Sequence, residues 1–187
     1  MIKKIVPHIS ILIAYFFILT SSYSLESNWQ PALDGNKVIF IRHSLAPGGG
    51  DPKGFDLNDC TTQRNLNRIG IEQSKNIGKL FKKNDIKIDQ VYSSQWCRCK
   101  DTAKYAFKNY KELSILNSTF SAPYDKKEKQ QINELKNFIK SWNGNGGNLI
   151  LITHYVVILA ITGETSSSGE LVITDKNFNL LSKINTF

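Results

Sequence analysis

Apolar and polar positions alternate between two periods along this chain. Val38 to Ile41 is a short, β-branched-rich apolar run closed by Arg42 and His43, and it reads as a strand buried on both faces. Asn148 to Ile152 repeats that form and is closed by Thr153 and His154, and Ile86 to Tyr92 reads as a further strand. Between the first two of these strands in chain order, Asn67 to Asn84 places Ile69, Ile77, Leu80 and Phe81 near helical spacing. Gln73 is its polar exception, and Gly70 and Gly78 weaken it slightly. Ser93 and Ser94 suit the cap of a helix from about Gln95 to Tyr110, where Cys99, Thr102, Ala103 and Ala106 share a face. Leu113 to Leu116 reads as a short strand and Tyr124 to Trp142 as an amphipathic helix burying Ile132, Leu135, Phe138 and Ile139. Tyr155 to Ile161 is a short apolar helix, and Gly169 to Thr174 with Phe178 to Ile184 form a closing hairpin around Asp175-Lys176-Asn177. Glu26 to Gly35 is a leader broken by Pro31 and Gly35. Strands alternating with helices predict an α/β fold, a three-layer αβα sandwich with a mostly parallel central sheet.

Residues 1–24 stand outside this pattern. Lys3 and Lys4, the apolar stretch Ile11 to Leu19 and the small residues around Ser22-Tyr23-Ser24 form a signal-peptide pattern. The apolar stretch is short for a membrane span, so cleavage is expected over a retained anchor. Residues 25–187 are then a single exported domain of about 160 residues, enough for a sizeable core. The formal charge of +8 falls to +6 without Lys3 and Lys4, which favours anionic ligands. Much of that charge is a lysine-rich exterior, and no arginine–aromatic alternation points to nucleic acid.

The candidate chemistry sits at strand ends. His43 and His154 each follow a buried strand at its C-terminal edge, where open α/β sheets place ligands. Arg42 and Arg98 supply planar guanidiniums that can hold an oxyanion bidentately, and Arg64 follows the glycine-rich run Gly48-Gly49-Gly50. The connection from Ser44 to Thr62 is long enough to be functional or mobile.

Taken in order, Ile41-Arg42-His43, Arg64 through Gly70, Tyr92-Ser93-Ser94 through Arg98 to Thr102-Ala103, and Ile152-Thr153-His154 resemble the motifs of the histidine phosphatase superfamily, also called phosphoglycerate-mutase-like. The resemblance runs from about Lys37 to Thr174. Ser44 and Tyr155 stand where that pattern has glycine after each histidine. The resemblance implies a phosphatase acting on phosphomonoesters without metal or cofactor. His43 would be the nucleophile, Arg42 and Arg98 the phosphoryl clamp, and His154 a donor to a phosphoryl oxygen. Arg64, Ser44 and Tyr155 would contact substrate. The acid that protonates the leaving oxygen is not singled out: Asp51, Asp59, Asp125, Glu128 and Glu170 are all candidates. The expected partner is a small phosphorylated substrate such as an envelope sugar phosphate, with no nucleic acid and no membrane insertion after signal removal. The other reading is a non-catalytic phosphoryl-ligand binding protein on the same fold.

Three cysteines fall in the exported part, Cys60, Cys97 and Cys99. Helical spacing turns Cys99 to the apolar face and Cys97 outward, so a Cys60–Cys97 disulfide is expected, with Cys60–Cys99 as the alternative. It would fasten the glycine-rich connection to the helix that carries Arg98.

Overall fold

The computed structural model describes residues 28–120 and 124–187. The expected signal segment at 1–24 lies outside the described residues, as do 25–27 and Ser121-Ala122-Pro123. Six strands form one sheet: β1 (Val38–Arg42), β2 (Ile88–Ser93), β3 (Lys111–Glu112), β4 (Asn148–Thr153), β5 (Leu171–Thr174) and β6 (Leu180–Ile184). Their order is β3-β2-β4-β1-β5-β6. Pairs β3/β2, β2/β4 and β4/β1 run parallel, whereas β1/β5 and β5/β6 run antiparallel. The sheet is therefore mixed, not mostly parallel. The short turn between β5 and β6 makes that pair antiparallel, and β5 itself lies antiparallel against β1 at the edge of the parallel strands.

Alternation within β1 and β4 builds the three layers. Ile39, Ile41, Ile150 and Ile152 face one way, onto Ile77 and Phe81 of α1 (Arg68–Lys83) and Cys99 and Ala103 of α2 (Cys97–Phe107). Val38, Phe40, Leu149 and Leu151 face the other way. They meet Ile132, Leu135 and Ile139 of α3 (Glu128–Ser141) and Val157, Ile158 and Ile161 of α4 (Tyr155–Thr162). These strand residues are fully buried, which is why both strands read as unbroken apolar runs.

Four local expectations change. The leader is helical over 28–33, and Trp29 and Ala32 enter the core. Leu113 to Leu116 is not a strand: β3 ends at Glu112, the Leu113 amide donates to the Ser93 carbonyl at 2.9 Å, and the chain closes into a 3-10 turn at Ser114–Leu116. The helix expected from Tyr124 begins at Glu128, after a 3-10 turn over Asp125–Lys127. Gly70 and Gly78 are contact points: a Cβ on Gly70 would lie 2.1 Å from the Leu45 carbonyl oxygen, and one on Gly78 would lie 2.2 Å from that of Ala106. The absence of side chains is what lets α1 lie close to both the connection after His43 and α2.

Candidate active site

Strand pairing brings the two histidines together. Arg42 of β1 is in register with Thr153 of β4, and the His43 amide donates to the Thr153 carbonyl at 3.0 Å. The imidazoles of His43 and His154 leave adjacent strand ends with their centroids 5.5 Å apart. On the other flank of β4, the Ser94 amide donates to the Ile152 carbonyl at 2.9 Å, and the turn after β2 feeds Arg98 into the same place. A pocket of about 330 Å³ lies over these ends, with Arg42, His43, Arg64, Arg98, His154 and Tyr155 in its lining.

Arg98 is almost wholly buried and makes an ion pair, Nη1 donating to Asp51 Oδ1 at 2.8 Å; its Nη2 lies 3.4 Å from His154 Nδ1. Arg42 is held from behind: Nη1 donates to the Ser166 carbonyl at 2.7 Å, and the guanidinium sits 5.6 Å from the Tyr155 ring centroid. Arg64 donates through Nη1 to the Ala46 carbonyl. The Nε groups of all three arginines are buried and without a hydrogen-bond partner among the described residues. Unmet buried donors of this kind are costly unless a ligand completes them.

Both histidines are uncharged. Burial first, then the Arg98 charge, hold the His43 imidazole well below its ordinary value, and the same two causes act on His154, helped by His43. His43 Nδ1 lies 2.8 Å from the Ser44 carbonyl. A carbonyl only accepts, so the proton is on Nδ1 and Nε2 keeps its lone pair.

Of the five candidate acids, Asp51 alone lines the pocket. Burial pushes its carboxyl up, but the hydrogen bond and charge of Arg98 outweigh this, with the Arg64 amide and the Trp96 indole adding to the pull, and hold it below the usual range. Asp59 is exposed and accepts from Thr61, and Asp125 is exposed and accepts from the Lys126 amide. Glu128 accepts from Thr119 at 2.8 Å, and Glu170 accepts from the Ser167 amide at 2.7 Å. Ser44 is not in the lining: its hydroxyl meets that of Ser74 at 2.8 Å and its amide donates to Thr102, so it fastens the strand end to α1 and α2.

The Cys60–Cys97 disulfide is present, and Cys99 is the free cysteine. Cys97 is buried, not outward-facing, because the 3-10 turn Cys60–Thr62 and Gln63 cover it. Ser94 does not cap α2, whose N-cap, Trp96, has no side-chain cap bond. The Ser94 hydroxyl is drawn to His154 and Asn117. Sequence reasoning did not find Asn117, Ser118 and Phe120: the turn that brings them to the site hides in a stretch that reads as strand.

Residues 38–148, more than half of the chain, match the family model described as histidine phosphatase superfamily, branch 1. Over 82 residues the chain is 33% identical to a 2,3-bisphosphoglycerate-dependent phosphoglycerate mutase 2 of Latilactobacillus sakei, a stretch that is 42% of this chain and 33% of that relative. The match thus spans about a third of the relative's length. Among solved structures, the protein histidine phosphatase SixA complexed with tungstate aligns with a TM-score of 0.57 at 15% identity, over 80% of this chain and 97% of that one. Phosphoserine phosphatase of Entamoeba histolytica gives 0.56 at 16% identity, over 80% and 97%. Phosphoglycerate mutase of Thermus thermophilus gives 0.54 at 14%, over 80% and 98%. At these identities the structural likeness speaks for the fold alone. The family match over residues 38–148, together with paired histidines and arginines at the ends of β1, β2 and β4, makes this chain a member of the histidine phosphatase superfamily.

Proposed function

We propose that the protein is an exported phosphatase that hydrolyses phosphomonoesters through a phosphohistidine on His43. The observation that carries this reading is the state of His43: neutral, with Nδ1–H donating to the Ser44 carbonyl, and so presenting an unprotonated Nε2 among three guanidiniums. In the proposed reaction Nε2 attacks phosphorus and the ester P–O bond breaks. The leaving oxygen takes a proton from solvent, and a water then attacks the phosphohistidine, breaking the P–N bond to release inorganic phosphate and free His43. Arg42, Arg98 and Arg64 offset the charge on the equatorial oxygens, and His154 donates to one of them. The buried Nε donors are suited to that task.

The leaving group is the discriminating feature. Asp51 is the one pocket carboxyl among the described residues, and Arg98 keeps it ionised. Ser121, Ala122 and Pro123 carry no carboxyl. Esters whose leaving group departs without strong protonation are therefore favoured, aryl phosphates ahead of sugar phosphates. The exposed Phe120 and the rings of Tyr124 and Tyr155 at the pocket suit a planar leaving group. The same ion pair is what a binding protein without turnover would also tolerate. The signal-peptide pattern of residues 1–24 supports export, and the Cys60–Cys97 bridge is compatible with an oxidising compartment.

Turnover of p-nitrophenyl phosphate with chelator present is the test, with trapping of the phosphoprotein by an alkaline quench, since the P–N bond of a phosphohistidine is labile in acid. His43→Ala should lower turnover by on the order of 10³-fold or more and abolish the trapped intermediate, leaving the fold intact. Tight phosphate binding without turnover would instead establish the binding reading, and a largely active His43→Ala would remove His43 as nucleophile.

A further inference from the structure

The protonation of His154 can be read from a chain of hydrogen bonds that begins at the backbone. The Gln95 amide N–H lies 2.9 Å from one terminal atom of the Asn117 side chain. A backbone N–H only donates, so that atom is the carbonyl oxygen Oδ1. The Asn117 amide nitrogen donates to Gln95 Oε1 at 2.8 Å, which agrees. Ser94 Oγ lies 3.1 Å from the same Oδ1 and must donate to it, spending its single hydrogen. Ser94 Oγ also lies 2.9 Å from His154 Nε2 and accepts from the Trp96 amide at 3.3 Å. With no hydrogen left to give, Ser94 accepts at Nε2. The proton of the neutral His154 ring is therefore on Nε2. Cys99 fits the same assignment: its Sγ lies 3.7 Å from the Thr153 carbonyl and can give its hydrogen there, leaving the sulfur to face Nε2–H at 3.5 Å.

His154 Nδ1 is thus bare. In the free site it accepts a long hydrogen bond from Arg98 Nη2 at 3.4 Å, a donor that a bound anion draws to itself as Nδ1 becomes protonated. The two histidines are held as opposite tautomers, His43 protonated on Nδ1 and His154 on Nε2. A bare nitrogen facing a phosphoryl oxygen sets lone pair against lone pair. The groups around His154 are Arg98 and Cys99 from α2, His43 and Arg42 from the end of β1, Arg64 from the connection, and the Trp96 ring 5.2 Å away. The arginines and burial keep the ring uncharged while the site is free, and the charge of a bound dianion would act in the opposite sense.

We propose that Asn117 and Ser94 fix His154 with a bare Nδ1, so that the site binds a tetrahedral phosphoryl dianion together with one proton, which His154 Nδ1 takes up and donates to an anion oxygen. The inference rests on the proposed phosphoryl pocket. No bond to phosphorus changes in this step: one proton moves from solvent to Nδ1, giving an imidazolium whose two N–H groups serve Ser94 and the anion. Asn117 touches no substrate in this account; it is a positioning residue that acts through Ser94.

The probe is tungstate, a tetrahedral dianion that carries no proton of its own near neutral pH. Calorimetric titration of the protein in buffers of different ionisation enthalpy counts the protons taken up on binding. The expected count is about one. His154→Gln should abolish it, and Asp51→Asn should leave it unchanged. Asn117→Leu frees the Ser94 hydrogen to donate to Nε2, so Nδ1 can carry the ring proton unaided and the count should fall well below one. Nitrogen NMR of the ¹⁵N-histidine-labelled protein needs no variant. The free protein should show His154 protonated at Nε2 alone, and the tungstate complex should show it protonated at both nitrogens. A count near zero, a count lost in Asp51→Asn, an unchanged count in Asn117→Leu, or Nδ1–H in the free protein would each overturn the proposal. Binding is scored without turnover. One proton with no catalysis keeps this inference and defeats the phosphatase reading, and catalysis without uptake does the reverse.

Discussion

Removing the crosslink between Cys60 and Cys97 should loosen the site before it unfolds the protein. The bridge spans 37 positions and ties the 3-10 turn at the end of the long connection to the first residue of α2, the helix of Arg98. Loop-closure entropy for a ring of that length gives about 4 kcal/mol of stabilisation at 25 °C. For a chain of this size that corresponds to a fall in Tm of about 8 to 16 °C. The suitable variant is Cys60→Ser with Cys97→Ala, since Cys60 is exposed and Cys97 is buried. Part of the anchoring survives. Gln63 accepts from the Cys97 amide at 3.0 Å and donates to the carbonyls of Asp56 and Leu57 at 2.9 and 3.1 Å. The connection should therefore stay near its place but hold Asp51, and through it Arg98, less firmly. The expected result is a several-fold rise in KM for p-nitrophenyl phosphate with a smaller fall in kcat. Calorimetric melting and steady-state kinetics of the wild type, with and without reductant, should reproduce the behaviour of the double variant. Cys99 does not confuse the assay: burial pushes its thiol up to about 12, so it stays protonated and unreactive at neutral pH. A Tm change below about 2 °C in both the reduced protein and the double variant would refute the reasoning.

Arg98→Lys should lower kcat/KM by about 10²-fold or more, because one ammonium cannot serve Asp51 and His154 in the fork geometry of Nη1 and Nη2; near-wild-type kinetics would place Arg98 outside the reaction. Gly78→Ala should destabilise by about 1–3 kcal/mol in chemical denaturation despite a helix-propensity gain of about 1 kcal/mol, since the new Cβ meets the Ala106 backbone oxygen at 2.2 Å; a stabilised variant would contradict the close approach of α1 and α2. Acid should weaken the fold through His43 and His154, both lowered well below 6.5 in the native state. Below 6.5 the unfolded chain binds protons that these buried rings refuse, so stability falls with falling pH by up to about 1.4 kcal/mol per unit for each ring; a denaturation midpoint flat between pH 6.5 and 5, or one rising toward acid, would contradict this sign.

Much of the scaffold was legible because the signals are local. The buried strands Val38 to Ile41 and Asn148 to Ile152 announce themselves as short apolar runs, and the histidines after them follow from where such strands end. The helix from Asn67 declares its boundaries through Asn67, which caps it, and Asn84, which closes it. The Cys60–Cys97 pairing is the one expected from separating Cys97 and Cys99 onto different helix faces, although the burial of Cys97 was not legible, since burial depends on what a distant turn lays over it.

What only the tertiary structure decided are the contacts between segments far apart in the chain. That Asp51 is an ion-pair partner of Arg98, not a free acid, depends on a connection folding back across 47 positions. Ser94 reads as a helix cap from its neighbours alone; it is taken instead by His154, 60 positions away, and Asn117, 23 positions away. Gly70 and Gly78 read as weak points in a helix and prove to be where it lies against the backbone of Leu45 and Ala106. The antiparallel placement of β5 against β1 likewise rests on pairing that no local pattern encodes. Hydrophobic periodicity reports which face of an element is buried, and so the layers and the strand ends are written in the sequence. Hydrogen-bond partners and charge states depend on which buried faces meet, and that is settled only when the sheet closes and removes water from the groups between its strands.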